Sequence, residues 1–161
     1  IHVGVFQENI VNNKSVNITI NQKAISDKSG TMDFIRVLGN TTGSHLAGAK
    51  EDPYGELETF SVETSDINAV LLNNDFVKMD IEGQEATAIL STKKDTWANV
   101  EMILEVGTEK NAKIIFEYLN EINVNMFSQK TGWNKVSDLA DVPSSYKEGS
   151  LFLSVADEMS W

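Results

Sequence analysis

The chain has 161 residues, enough for one domain with a real core, and an ordinary soluble composition of 41% hydrophobic and 23% charged residues. Its formal net charge of −11, from 24 acids against 13 Lys plus Arg, repels phosphate backbones and anionic lipid, which argues against nucleic-acid and membrane-surface partners. With no cysteine there is no disulfide, no thiolate metal site and no cysteine nucleophile, a usage that suits a reducing, cytoplasmic setting.

No apolar run approaches the roughly 18 residues that would span a bilayer, and nothing resembles a signal peptide. The chain starts at Ile1 without a methionine and reads as a processed or excerpted piece of something longer. In chain order, Val3, Phe6 and Ile10 recur at helical spacing and predict a helix over residues 1–13, stopped at Asn12 and Asn13. Val16–Ile20 and Lys23–Ile25 are rich in β-branched residues and predict one broken strand. Ser26 to Gly30 is a turn, and Thr31–Val37 a second strand. Gly39–Tyr54 has no periodicity and predicts an exposed loop of a length that is usually functional or disordered. Its His45 reads as an exposed loop histidine. Leu57–Val62 alternates as a strand, and Ser65 and Asp66 cap a short helix to about Leu72.

Phe76–Ile81 is a short apolar run, followed by helical spacing from Gln84 to about Lys93. Glu101–Val106 is another strand and Ala112–Ile122 an amphipathic helix with Ile115, Leu119 and Ile122 on one face. Val124–Ser128 and Leu151–Val155 predict strands, joined by a loop holding Gly132, Trp133 and Pro143, and they could form an antiparallel pair. Strand–helix alternation from Phe76 onward predicts an α/β fold with a parallel sheet, and residues 1–161 form a single domain. Trp97, Trp133 and Trp161 read as core or lid aromatics.

The chemistry concentrates in Asn74–Leu90, NDFVKMDIEGQEATAIL. Strand alternation turns Val77, Met79 and Ile81 to one side and Lys78 and Asp80 to the other. Asp80 then lies at the carboxyl end of a strand, where open α/β sheets bind ligands. Glu82 sits in the turn, Gly83 lets the backbone bend, and Glu85 falls in the first helical turn, where it is either part of the site or simply an N-terminal helix acid. Capping is the structural alternative for Asp80. Glu105 ends the next strand and either flanks the same crevice or pairs with Lys78. Such carboxylates could hold Mg²⁺ or Ca²⁺ through Asp80, Glu82 and Glu105, as in a metal-dependent hydrolase. They could equally face a cation such as a sulfonium. No GxGxxG, P-loop, HExxH or GxSxG pattern is present.

KMDIEGQEATAIL (Lys78–Leu90) resembles the K-I-D-V-E-G-x-E-x-x-V-L signature of FkbM-type methyltransferases. QKAISDKSGTMDF (Gln22–Phe34), VETSDINAVL (Val62–Leu71), EMILEV (Glu101–Val106) and ENIVNN (Glu8–Asn13) are similar to further family segments, in the same order. The resemblance covers roughly residues 6–106. It implies a Rossmann-like class I methyltransferase sheet, mostly parallel with an antiparallel last strand. It also implies S-adenosylmethionine as cofactor and methyl transfer to a hydroxyl of a sugar or small metabolite. Separately from the resemblance, a homo-oligomer is a further expectation. The resemblance places Ala24, Ile25 and Ser26 beside the adenine, and Asp80 and Glu82, supported by Glu85, at the catalytic site, with no metal. The family's Gly-rich first turn and the acidic end of its second strand are not in this sequence, so the domain is expected to be N-terminally truncated. The same scaffold used only for binding, through the Gly39–Tyr54 loop, is the remaining alternative.

Overall fold

The computed structural model describes residues 2–13, 16–39, 43–49 and 55–160. Helix α1 (His2–Asn12) is followed by β1 (Ala24–Ser26), β2 (Gly30–Val37), β3 (His45–Leu46) and β4 (Leu57–Asp66). These strands form a sheet in the order β1-β4-β2-β3, with β1 parallel to β4 and the other pairs antiparallel. Helix α2 (Ile67–Leu72), β5 (Phe76–Met79), α3 (Glu85–Leu90), β6 (Glu101–Glu105), α4 (Glu109–Glu121), β7 (Asn125–Ser128), β8 (Asn134–Lys135) and β9 (Ser150–Ser154) complete the chain. The second sheet runs β5-β6-β9-β7-β8.

The α/β class holds, but the sheets are mixed and not mostly parallel: among the described residues only β1 with β4 and β5 with β6 pair in parallel. The last strand is antiparallel to both neighbours, as expected, and it inserts between β6 and β7. Its burial explains that position. Leu151, Phe152 and Leu153 are all buried, so both faces of β9 need cover, which a central strand receives and an edge strand does not.

One face of this sheet carries the core. Met79, Met102, Leu104, Met126, Leu151 and Leu153 pack against Ala86 and Ile89 of α3 and Ala112, Ile115 and Leu119 of α4. Burying each large apolar side chain contributes about 1.5–3 kcal/mol. Trp97 is fully buried, and its indole Nε1 donates to Thr92 Oγ1 at 3.0 Å. The Tyr118 hydroxyl donates to the Thr92 carbonyl, tying α4 to the segment after α3.

Several boundaries differ from expectation for identifiable reasons. Only Ala24–Ser26 of the broken strand forms, because β1 finds a ladder partner over those three residues alone; Val16 and Ile18 stay exposed. Helix α3 ends at Leu90, short of Lys93, where Ser91 and Thr92 hydroxyls each donate back to a carbonyl of the preceding turn at 2.7 Å. Helix α4 starts earlier than expected because Thr108 caps it, its hydroxyl accepting from Asn111 N at 3.1 Å. Of the Gly39–Tyr54 loop, residues 40–42 and 50–54 lie outside the described residues, as does Trp161. The described part contains β3, and His45 is buried at 1% exposure, contrary to expectation, because the strand pairs with β2.

Candidate functional site

Strands β5 and β6 run side by side with Met79 opposite Leu104, so the next residues along, Asp80 and Glu105, emerge together at their carboxyl ends. Val77, Met79 and Ile81 join the core while Lys78 and Asp80 face away, as alternation requires. The Lys78 ammonium stands between the two acids, 3.7 Å from Asp80 Oδ2 and 3.9 Å from Glu105 Oε2. All three side chains are half-exposed, so these pairs contribute little stability, about 0–1 kcal/mol each. Their consequence is local: two carboxylates share one cation at the rim of a cavity.

Asp80 is not a helix cap. The N-cap of α3 is Gln84, and no side chain caps it. The turn is closed from within by Glu85, which is 3% exposed. Its Oε1 accepts from Gly83 N at 3.0 Å and Ile81 N at 3.3 Å, and its Oε2 accepts from Asn111 Nδ2 at 3.2 Å. Asn111 Nδ2 also reaches the Gly83 carbonyl at 3.4 Å, so the first turn of α4 and the start of α3 hold one another.

Glu82 has φ of 55°, in the left-handed region that a non-glycine residue seldom occupies. Gly83 follows at φ 105°, and a Cβ there would lie 2.9 Å from the Ala49 carbonyl oxygen. Glycine is required twice over, for the backbone angle and for the close approach of the loop after β3.

These elements surround a cavity of about 880 Å³, within the range of small-molecule sites. Asp80, Glu82, Glu85 and Glu105 line it on the acid side. Thr108, Lys110 and Asn111 supply polar groups from α4, Gly48 and Ala49 close one wall, and Tyr146 stands at another. The sequence pattern brings out the acids but not the remainder. Thr108 and Asn111 are legible afterwards as a cap and its third residue, whereas Tyr146 sits in a loop without periodicity and has no signal.

Ala24, Ile25 and Ser26 form β1 and do not line this cavity. Ser26 is buried, its hydroxyl donating to Asp27 Oδ1 at 3.0 Å and to Met32 Sδ at 3.5 Å. Among the described residues no group of three His, Cys, Asp or Glu side chains could hold a metal ion. Among the same residues no helix is long and apolar enough to cross a membrane.

No curated protein matches the chain, and no solved structure matches it. Residues 5–136 match the family model described as the methyltransferase FkbM domain. With most of its length matched, and with the acidic turn inside the match, the chain belongs to the FkbM methyltransferase domain family.

Proposed function

We propose that the chain carries the acceptor side of an S-adenosylmethionine-dependent methyltransferase site, acting on a hydroxyl of a sugar or small metabolite. The observation that carries this reading is the pair Asp80 and Glu105, at the ends of adjacent parallel strands and on one cavity, with Asp80 not used for capping. The acidic wall fits a cationic sulfonium by charge. S-Adenosylmethionine, when bound, supplies an electrophilic methyl group.

The chain's own residues then have separate tasks. Asp80 accepts the proton that the acceptor hydroxyl releases, while the Lys78 ammonium holds Asp80 and Glu105 in place. Glu82, held in its left-handed conformation, orients the acceptor from the cavity wall. Glu85 keeps the turn closed, since both its oxygens accept bonds from the turn and from Asn111. Transfer of this kind depends above all on positioning, which a turn locked from both helices provides. Ala24, Ile25 and Ser26 stand on the adenine side, outside the acceptor cavity.

The family's Gly-rich first turn and acidic second-strand end are not in this sequence, so an N-terminally extended form is the comparison for cofactor binding. Titration calorimetry of the 161-residue chain and of an N-terminally extended form with S-adenosylhomocysteine tests the reading. Binding by the extended form, weaker or absent in the shorter chain, is expected. Absence of heat from both leaves the scaffold as a non-catalytic binding domain.

A further inference from the structure

We propose that Tyr146 contacts the acceptor and selects for a neutral, hydroxylated ring of the pyranose kind. The inference rests on the cavity being the acceptor site. Tyr146 is 68% exposed and lines that cavity, yet its loop is firmly anchored. Glu148 Oε2 accepts from Ser144 N at 2.7 Å and Ser144 Oγ at 3.1 Å, and Glu148 N donates to the Ser145 carbonyl at 3.0 Å. Lys130 Nζ lies 3.3 Å from Glu148 Oε1 and 3.5 Å from the Val142 carbonyl. At the far foot, Gln129 Oε1 accepts from Ser150 N at 3.0 Å, and Gly149 leaves no room for a Cβ against Gln129. Both feet are therefore fixed to the turn that follows β7.

A large ring held mostly in water on an anchored loop buries little for the fold. It does reduce the ordering cost of a ligand that stacks on it. The Lys147 ammonium lies 5.7 Å from the ring centroid and steadies the ring.

The lining decides the chemical class. Asp80, Glu82 and Glu105 oppose an anionic ligand, while Lys110 opposes a cation on the α4 side of the cavity, away from the acidic wall. Carboxylates, the Thr108 hydroxyl and the Asn111 amide are suited to hydroxyl groups, which both donate and accept. An aromatic ring adds a platform for the C–H face of a saturated ring. Tyr146 lies beyond the matched residues 5–136.

The test is saturation-transfer NMR of the chain with methyl glycopyranosides and myo-inositol, with sorbitol and choline as acyclic and cationic controls. Transfer to the ring C–H protons of at least one cyclic polyol, retained in Tyr146→Phe, is expected. Tyr146→Ala should weaken binding about tenfold, the scale of one stacked ring. Thermal melts of both variants, expected to match the parent, exclude misfolding. No transfer to any ring, equal binding by Tyr146→Ala, or preference for choline overturns the proposal. S-Adenosylhomocysteine binding without ring binding sinks this inference alone. Ring binding through Tyr146 in a protein that binds no S-adenosylhomocysteine in either form sinks the methyltransferase reading and leaves a saccharide site.

Discussion

Replacing Glu85 tests whether the acidic turn is held closed by its own buried carboxylate. Glu85→Ala removes the acceptor for Gly83 N at 3.0 Å, Ile81 N at 3.3 Å and Asn111 Nδ2 at 3.2 Å, all at a site 3% exposed. A hydrogen bond to a charged group contributes about 1.5–3 kcal/mol, and the two longer bonds together count for about one good one. The sum is about 3–6 kcal/mol, and a buried ionic contact that loses one partner narrows it to about 3–5 kcal/mol. In a domain of this size that lowers Tm by about 6–20 °C. Glu85→Gln keeps one oxygen for the two amides, and Asn111 can turn its own carboxamide to accept from the new NH₂, so its cost falls to about 1 kcal/mol. Urea denaturation gives the two energies, and hydrogen exchange at the Gly83 and Ile81 amides reports the local opening. If Glu85→Ala loses less than about 1 kcal/mol and those amides exchange no faster, the carboxylate does not hold the turn.

Gly83→Ala combines a φ of 105° with a Cβ 2.9 Å from the Ala49 carbonyl oxygen, and should cost about 2–4 kcal/mol. Gly107→Ala, on the same cavity but with open space and no positive φ, should stay within about 0.5 kcal/mol; equal melts for the two variants would contradict the close-approach argument. Asp80→Asn should leave stability unchanged within about 1 kcal/mol, since the ion pair to Lys78 is half-exposed, while methyl transfer by an active form falls about 10²–10⁴-fold. The Ser144 amide holds the Glu148 carboxyl below the ordinary glutamate value of 4.5. A carboxyl depressed on folding contributes stability that is complete above the unfolded value and is lost as pH falls through the folded one. The Tyr146 loop should therefore stay closed from neutral pH down to 4.5 and become protease-sensitive only below it, and Glu148→Gln should weaken that pH dependence.

The legible parts of this protein are those written in local periodicity. Alternation along Phe76–Ile81 placed Val77 and Met79 in the core and Lys78 and Asp80 outside it, because successive side chains of a strand must point to opposite faces. Apolar spacing found α4, and Asp66 was recognised as the cap of α2, where its carboxylate accepts from Asn68 N at 2.8 Å. The acidic turn stood out because D-x-E-G-x-E has few packing explanations.

Other features depend on partners distant in sequence. The Val16–Ile20 segment has strand-forming residues but no ladder partner among the described residues, and propensity alone does not make a strand. His45 looked exposed from its polar neighbours and is buried because β3 pairs with β2. Insertion of β9 between β6 and β7 joins segments separated by whole helices, so no local pattern specifies it. The same holds for the cavity. Local sequence identified its acids, but Glu85 became a clamp only when Asn111 arrived from α4. Tyr146 became a wall only when its loop was fixed to the turn after β7. Hydrophobic period and turn chemistry act between neighbours and determined the elements and the acidic turn. Contacts across the chain are chosen by what each face must bury, and only the tertiary structure decided which carboxylate meets solvent and which supports it.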